Sequence, residues 1–340
     1  VDEAVVAEGL VREFKGGIRA VDGVDLVVRT GEVYGFLGPN GAGKSTTVRM
    51  LCTLLKPTGG HARVAGFDVV ADAAGVRRSI GVALQDAAID PFMTGRELLR
   101  LQGVLHGLPR AGGRARAEEL LDRVGLTDAA DRRVGTYSGG MRRRLDLALA
   151  LVHAPVVLFL DEPTTGLDPT SRIALWEEVR RLNREAGTTV FLTTQYLEEA
   201  DQLAERVGII DGGRIVAEGT PASLKAEVGD PALVVTPLDP TRVDEAQGVL
   251  AAFGPPAPAR PGSASVRLAG GAARVAEVVR ALDGAGIPTG ALDLTLPSLD
   301  DVFVAKTGRR LEGDADGAPA AAPPAGRRGR RARASAGRRG

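Results

Sequence analysis

The apolar positions of this chain fall into two alternating patterns. Val33-Tyr34-Gly35-Phe36-Leu37 is an apolar run of strand length, and Thr47 to Leu55 repeats apolar residues at helical spacing. Ile80-Gly81-Val82-Ala83-Leu84 and Thr189 to Thr193 read as further strands. Val156 to Leu160 is apolar throughout, as expected of a parallel strand buried on both faces. Near the start, Val5 to Val11 and Val24 to Val28 are strand candidates, with Lys15-Gly16-Gly17 as the turn between them. Residues 94–125 read as helical: Arg96 to Leu101, then Ala115 to Val124 after a break at Pro109, Gly112 and Gly113. Helices are also predicted from Arg142 to about Val152 and from Ser171 to Arg184. Val207 to Ile210, then Asp211-Gly212-Gly213, then Arg214 to Ala217 form a hairpin signal. Strands alternating with helices predict an α/β core.

From about residue 230 the pattern changes. Val234-Val235, Val266 to Leu268 and Leu292 to Leu296 read as strands and Arg274 to Leu282 as a helix, a small α+β module behind a Pro/Gly linker. From 311 on, Ala, Pro, Gly and Arg dominate, a composition that predicts disorder. The expected division is 1–229, 230–310 and a tail at 311–340.

Charge adds one feature. The chain has 43 basic and 43 acidic residues, but its last 30 hold seven Arg against Glu312, Asp314 and Asp316. Such a tail can touch anionic lipid or nucleic acid, and a passive, solvated segment is the plainer reading. Cys52 stands alone, so no internal disulfide is expected, which suits a reducing cytosol. His61, His106 and His153 show no metal-ligand spacing. No signal peptide is expected from the opening residues. The longest apolar stretch, Ala148 to Leu160, is interrupted by His153 and Pro155 and falls short of the ~20 residues of a spanning helix. Any membrane role is therefore expected to come through a partner.

The chemistry concentrates where strand meets helix. Gly38-Pro39-Asn40-Gly41-Ala42-Gly43-Lys44-Ser45-Thr46 fits G-x-x-x-x-G-K-[ST] between a strand and a helix, the context a phosphate-binding loop demands. Its glycines let successive N–H groups face a phosphate, and the following helix adds the positive end of its dipole. Lys44 suits the β/γ-phosphates and Ser45 a Mg²⁺ ion. Asp161 and Glu162 end the apolar strand, at the rim where α/β proteins bind ligands. Asp161 suits the metal's water shell, and Glu162 suits the base that polarises an attacking water. Ser138-Gly139-Gly140, before the Arg142 helix, is a second anion cradle or an ordinary helix cap. Gln85 ends one strand and Gln195 follows another. Phe14 precedes a turn, where an aromatic can stack on adenine or simply pack.

Taken in order, these pieces resemble the ATP-binding cassette of ABC transporters over residues 1 to about 228. Gly38 to Thr46 matches Walker A, Gln85 the Q-loop, and Tyr137 to Met141 the signature. Val156 to Asp161 followed by Glu162 matches Walker B, Gly166-Leu167-Asp168 the D-loop, and Phe14 falls at the adenine-stacking aromatic. Thr136 to Asp146, Phe191 to Ala200 and Ser298 to Phe303 look like the ATP-binding subunits of daunorubicin/doxorubicin-resistance exporters. Met141 stands where the general cassette has Gln, and Gln195 where it has His.

The resemblance implies a P-loop NTPase with a β-rich subdomain, a RecA-like core with a parallel sheet and a helical signature subdomain, plus the small α+β domain. It implies an ATPase that powers drug efflux. Glu162 and Gln195 would be catalytic; Phe14, Gly38, Pro39, Asn40, Gly41, Ala42, Gly43, Lys44, Ser45, Thr46, Gln85, Ser138, Gly139, Gly140, Asp161 and Asp168 would hold ATP; and Ser45, Gln85 and Asp161 would serve Mg²⁺. The implied partners are a separate multi-span permease and a second copy of the chain, head to tail, with no nucleic acid. The implied place is the cytoplasmic face of a bacterial plasma membrane, reached through the permease with possible help from the basic tail. The alternative is a non-transport cassette ATPase, or an ATP-dependent regulatory binder of low turnover.

Overall fold

The computed structural model describes residues 3–84, 89–257 and 259–309. Strands β1 (Glu3–Phe14) and β2 (Ile18–Arg29) form a hairpin around Lys15-Gly16-Gly17, longer at both ends than the apolar pattern alone predicts. β3 (Val33–Leu37) leads through the glycine loop into α1 (Lys44–Leu51). Then come β4 (Gly59–Val64), β5 (Phe67–Asp68), α2 (Ala73–Ser79) and β6 (Ile80–Ala83). Three helices follow: α3 (Gly95–Leu105), α4 (Arg110–Arg123) and α5 (Gly139–Ala150). The chain returns through β7 (Val157–Asp161), α6 (Pro169–Ala186), β8 (Thr189–Thr194), α7 (Leu197–Leu203), β9 (Arg206–Asp211), β10 (Arg214–Gly219) and α8 (Pro221–Val228).

These strands make two sheets. One has the order β2-β1-β4-β5 and is antiparallel. The other has the order β10-β9-β3-β8-β7-β6, parallel except where the β9/β10 hairpin closes one edge. Tyr34, Phe36, Phe159 and Phe191 pack one face of the parallel sheet against the antiparallel sheet and α1. Leu158, Leu160, Val190 and Leu192 pack the other face against the helices.

The predicted break at Gly112 and Gly113 is not there. The chain turns at Pro109, which precedes the first turn of α4, and both glycines lie inside that helix. Thr94 caps α3 with a reciprocal Thr94/Glu97 box. Gly113 is buried in α4, where a Cβ on Gly103 of α3 would stand 3.5 Å from its Cα.

The last described stretch holds β11 (Ala232–Pro237), α9 (Val243–Leu250), β12 (Ala264–Arg267), α10 (Val275–Gly284), β13 (Thr289–Thr295) and α11 (Leu299–Thr307). The strands form an antiparallel sheet ordered β12-β11-β13, and α9 and α10 cover one face around Leu233, Val235, Val266, Leu250 and Leu282. Helix α9 went unread in the sequence. Helix α11 packs elsewhere: Leu299, Val302 and Phe303 bury against Leu197, Ala200, Val207 and Leu224. Its start is fixed by a capping box between Ser298 and Asp301. So the end of the described chain straps the small sheet to the parallel-sheet body. The residues from 310 on, with the basic tail, lie outside the described residues.

Candidate functional site

Register in the parallel sheet assembles the site. Leu37 pairs with Thr194, Phe36 and Asp161 both pair with Thr193, and Ala83 pairs with Leu160. The carboxyl ends of β3, β8, β7 and β6 therefore reach one rim together, where helix N-termini and loop N–H groups gather.

The glycine loop spans this rim. Gly38 donates to the carbonyl of Thr194 at 3.3 Å, and Ala42 donates to that of Pro39 at 3.2 Å. The loop is seated by the β9/β10 turn, whose Gly213 N–H donates to the Ala42 carbonyl at 3.0 Å. Two glycines are sterically required. A Cβ at Gly38 would stand 2.3 Å from the Ile210 carbonyl oxygen, and one at Gly43 would stand 2.4 Å from that of Ala20. Gly43 also has φ +109°, a conformation that glycine adopts without penalty. Asn40 and Gly41 form the exposed tip, and Ser45 and Thr46 lie half-buried in the first turn of α1.

Lys44 folds back over its own loop. Its ammonium donates to the carbonyls of Gly38 at 2.7 Å and Pro39 at 3.1 Å, and lies 3.3 Å from a carboxylate oxygen of Glu162. Lys44 is 4 % exposed, Asp161 1 % and Glu162 6 %, so the three charges meet almost without water. Burial pulls the Lys44 ammonium below its ordinary pKa, against the opposing pull of Glu162 and then Asp161.

Asp161 joins the first turn of α1 to the neighbouring strand. Its Oδ1 accepts from the Ser45 hydroxyl at 3.1 Å and from the Thr193 hydroxyl at 2.5 Å. Thr193 also receives the Glu162 N–H at 3.1 Å. Thr193 thus locks the acid pair to the neighbouring strand. Sequence reading passed over it, although a buried threonine at the end of an apolar strand is a usable signal. Glu162 itself stands at φ +50°, uncommon for a residue with a side chain.

The other predicted positions are dispersed. Ser138 is exposed and caps α5 by accepting the Met141 N–H at 3.2 Å. Gly139 is open, whereas a Cβ on Gly140 would meet the Ser171 hydroxyl at 2.8 Å. Met141 packs partly buried against the helical core, which suits its apolar side chain. Asp168 caps α6 through the Ser171 N–H at 3.0 Å and hydroxyl at 2.6 Å, and these bonds hold its carboxyl below the usual pKa. Among the described residues no hydrogen bond joins Ser138–Gly140 to the glycine loop. Gln195 follows β8, which the Gly38 bond ties to the loop, and its Oε1 is buried with no partner among the described residues. Phe14 ends β1 as a 40 % exposed ring, with the Arg12 guanidinium carbon 4.7 Å from its centroid. Gln85 lies outside the described residues.

Sequence reading also missed Arg143. Its guanidinium donates to the carbonyls of Leu84 at 2.7 Å, Asp161 at 2.8 Å and Pro163 at 2.8 Å. One oxygen of Asp146 lies 3.4 Å away, and burial pushes that carboxyl up to about 6. The spacing of Arg143 and Asp146, one helical turn apart, was the available signal.

Comparison with known proteins places this arrangement. The ABC transporter family model matches residues 21–165. The daunorubicin/doxorubicin resistance ATP-binding protein DrrA of Streptomyces peucetius is 55% identical over 73% of this chain and 75% of its own length. The daunorubicin resistance ATP-binding protein DrrA3 of Streptomyces coeruleorubidus is 48% identical over 90% of this chain and 96% of its own, so the likeness runs on past the parallel-sheet body. Among solved structures, the dimeric ATP-binding cassette MJ0796 in a post-hydrolysis state bound to ADP and Pi superposes with a TM-score of 0.59 at 28% identity, over 64% of this chain and 98% of that one.

Proposed function

Because the chain belongs to the ATP-binding subunits of ABC transporters, we propose that it powers efflux of an anthracycline-like drug through a separate membrane permease. The observation that carries the site assignment is the meeting of buried Lys44, Glu162 and Asp161 with half-buried Ser45 at the rim of the parallel sheet. The named relatives support the substrate class; the cargo itself would be read by the permease. Among the described residues no helix is long and apolar enough to cross a membrane, which agrees with a partner supplying the spans. We place the chain on the cytoplasmic face of a bacterial plasma membrane.

The roles follow from chemistry. The glycine-loop N–H groups and Lys44 would hold the β- and γ-phosphates of ATP. Glu162 would take the proton of the attacking water, and Gln195 would position that water or the γ-phosphate. The Ser45 hydroxyl and the Asp161 carboxylate offer hard oxygen donors 3.1 Å apart, a set that fits Mg²⁺ completed by substrate phosphates. Bound there, the metal would neutralise charge on the β- and γ-phosphates. Ser138 caps the helix that Gly139 and Gly140 begin, and among the described residues no hydrogen bond joins these three to the glycine loop of the same chain. This supports a head-to-tail dimer in which each ATP lies between the loop of one copy and the Ser-Gly-Gly of the other. Phe14, with one face taken by Arg12, would offer its other face to adenine.

Complementation tests the whole reading. Lys44→Ala should raise the Kd for ATP about a hundredfold, as loss of a buried charge-assisted bond implies. Ser138→Arg should bind ATP and fail to hydrolyse it. Mixing the two inactive variants should restore turnover, because one of the two shared sites is then intact. Near-normal ATP affinity in Lys44→Ala would refute the phosphate site, and no recovery on mixing would refute the shared-site dimer.

A further inference from the structure

Arg143 sits one turn into α5, the helix that Ser138 caps. Its guanidinium is nearly buried, and its N–H groups reach three main-chain carbonyls: Leu84, just past β6; Asp161, at the end of β7; and Pro163, two residues on. The last two carbonyls bracket Glu162. Glu162 is held at φ +50°, a left-handed conformation that a side-chain-bearing residue keeps only when its surroundings impose it. Thr193 supplies part of that constraint by accepting the Glu162 N–H through its hydroxyl and its carbonyl, each at 3.1 Å. The Thr165 N–H adds a bond to the Glu162 carbonyl at 3.3 Å, and Arg143 holds the flanking Asp161 and Pro163 carbonyls.

We propose that Arg143 is a positioning residue: it holds the carbonyls of the residues before and after Glu162, Asp161 and Pro163, and so couples the Ser138–Gly140 helix to the aim of the catalytic carboxylate. This rests on reading Glu162 as the base that activates water. A planar fork with five donors can serve three carbonyls in different directions at once; an ammonium on a flexible stem cannot hold that arrangement. The third carbonyl, Leu84, precedes Gln85 directly, so the same group also ties the end of β6 to the acid pair. A shift of α5 therefore moves the carbonyls that fix Glu162, without any contact between Arg143 and ATP.

The test uses the full chain and four proteins: wild type, Arg143→Lys, Glu162→Gln and the double variant. Phosphate release and binding of a fluorescent ATP analogue are measured for each. Arg143→Lys keeps the buried charge, and a folded sample is verified by its melting curve. Its kcat should fall about tenfold while its affinity for the analogue stays within about twofold of wild type. The double variant should turn over no more slowly than Glu162→Gln alone, because Arg143 acts through Glu162 and the losses should not multiply. Full kcat in Arg143→Lys, parallel loss of affinity and turnover, or multiplying losses in the double variant would each overturn the proposal and leave the base assignment standing. Wild-type turnover in Glu162→Gln alone would overturn the base assignment, and this proposal with it.

Discussion

The ammonium of Lys44 lies 3.3 Å from a carboxylate oxygen of Glu162, and both side chains are withdrawn from water. On the proposed reading, one cation would serve two anions in turn: the carboxylate of the same chain and the phosphates of the nucleotide. A phosphate that engages Lys44 would have to compete with Glu162, and success would leave Glu162 free for its proposed action on water.

Glu162→Gln should therefore do two things. It would remove the proposed base, so turnover should fall about a hundredfold or more. It also removes the competing charge, so ATP should bind about fivefold more tightly, the equivalent of about 1 kcal/mol. Equilibrium binding beside phosphate release checks both. Weaker ATP binding in this variant would show that the Lys44–Glu162 pair does not oppose the phosphates.

Asp146 makes stability depend on pH. Burial raises its carboxyl from the ordinary 3.8 to about 6, against the pull of Arg143. Between these values the folded chain keeps a proton that the unfolded chain has released. This contribution is therefore fullest below about pH 4 and is lost as pH rises through about 6. Asp146→Asn is neutral throughout, so the slope from this group should vanish. The variant should be more stable at pH 7–8, by up to ~3 kcal/mol for a shift of about two pKa units. Melting curves from pH 4 to 8 for both forms decide it; identical slopes would remove Asp146 from the account.

Gln195 can donate and accept but stays neutral at every pH. Charge-assisted hydrogen bonds are about twice as strong as neutral ones, so basal turnover should be slow. Gln195→Ala should lower kcat about tenfold and leave ATP affinity intact. It should not destabilise the fold, since the buried Oε1 has no partner among the described residues to lose. Gln195→His should stay active and acquire a pH dependence near ~6.5. Wild-type kcat in Gln195→Ala would make the side chain a spectator.

Gly112 is exposed inside α4, and a Cβ there would meet only the Pro109 ring at 3.9 Å. Gly112→Ala should stabilise the helix by about 0.8–1 kcal/mol, read as a rise of roughly 2–4 °C in Tm, with ATPase activity unchanged. A lower Tm would mean that the helix needs glycine there for another reason.

How far the molecule could be read in advance divides along a physical line. The strand–loop–helix around Lys44, the apolar strand ending in Asp161-Glu162 and the cap at Ser138 are local. Each depends on residues within a few positions, where periodicity and residue type carry the information. The order and spacing of those pieces sufficed for the family. Three features needed the folded chain. Thr193 meets Asp161 from 32 positions away only because β7 and β8 pair in that register. Arg143 looks like one of three arginines on a helix until α5 lies across the ends of β6 and β7, where, among the described residues, the middle one reaches their carbonyls. Helix α11 belongs by sequence to the second module, yet its apolar face is buried on α7 and α8. Chain-neighbour patterns say which face of an element seeks cover; which surface covers it, and which polar groups meet there, is decided by contacts between residues distant in sequence.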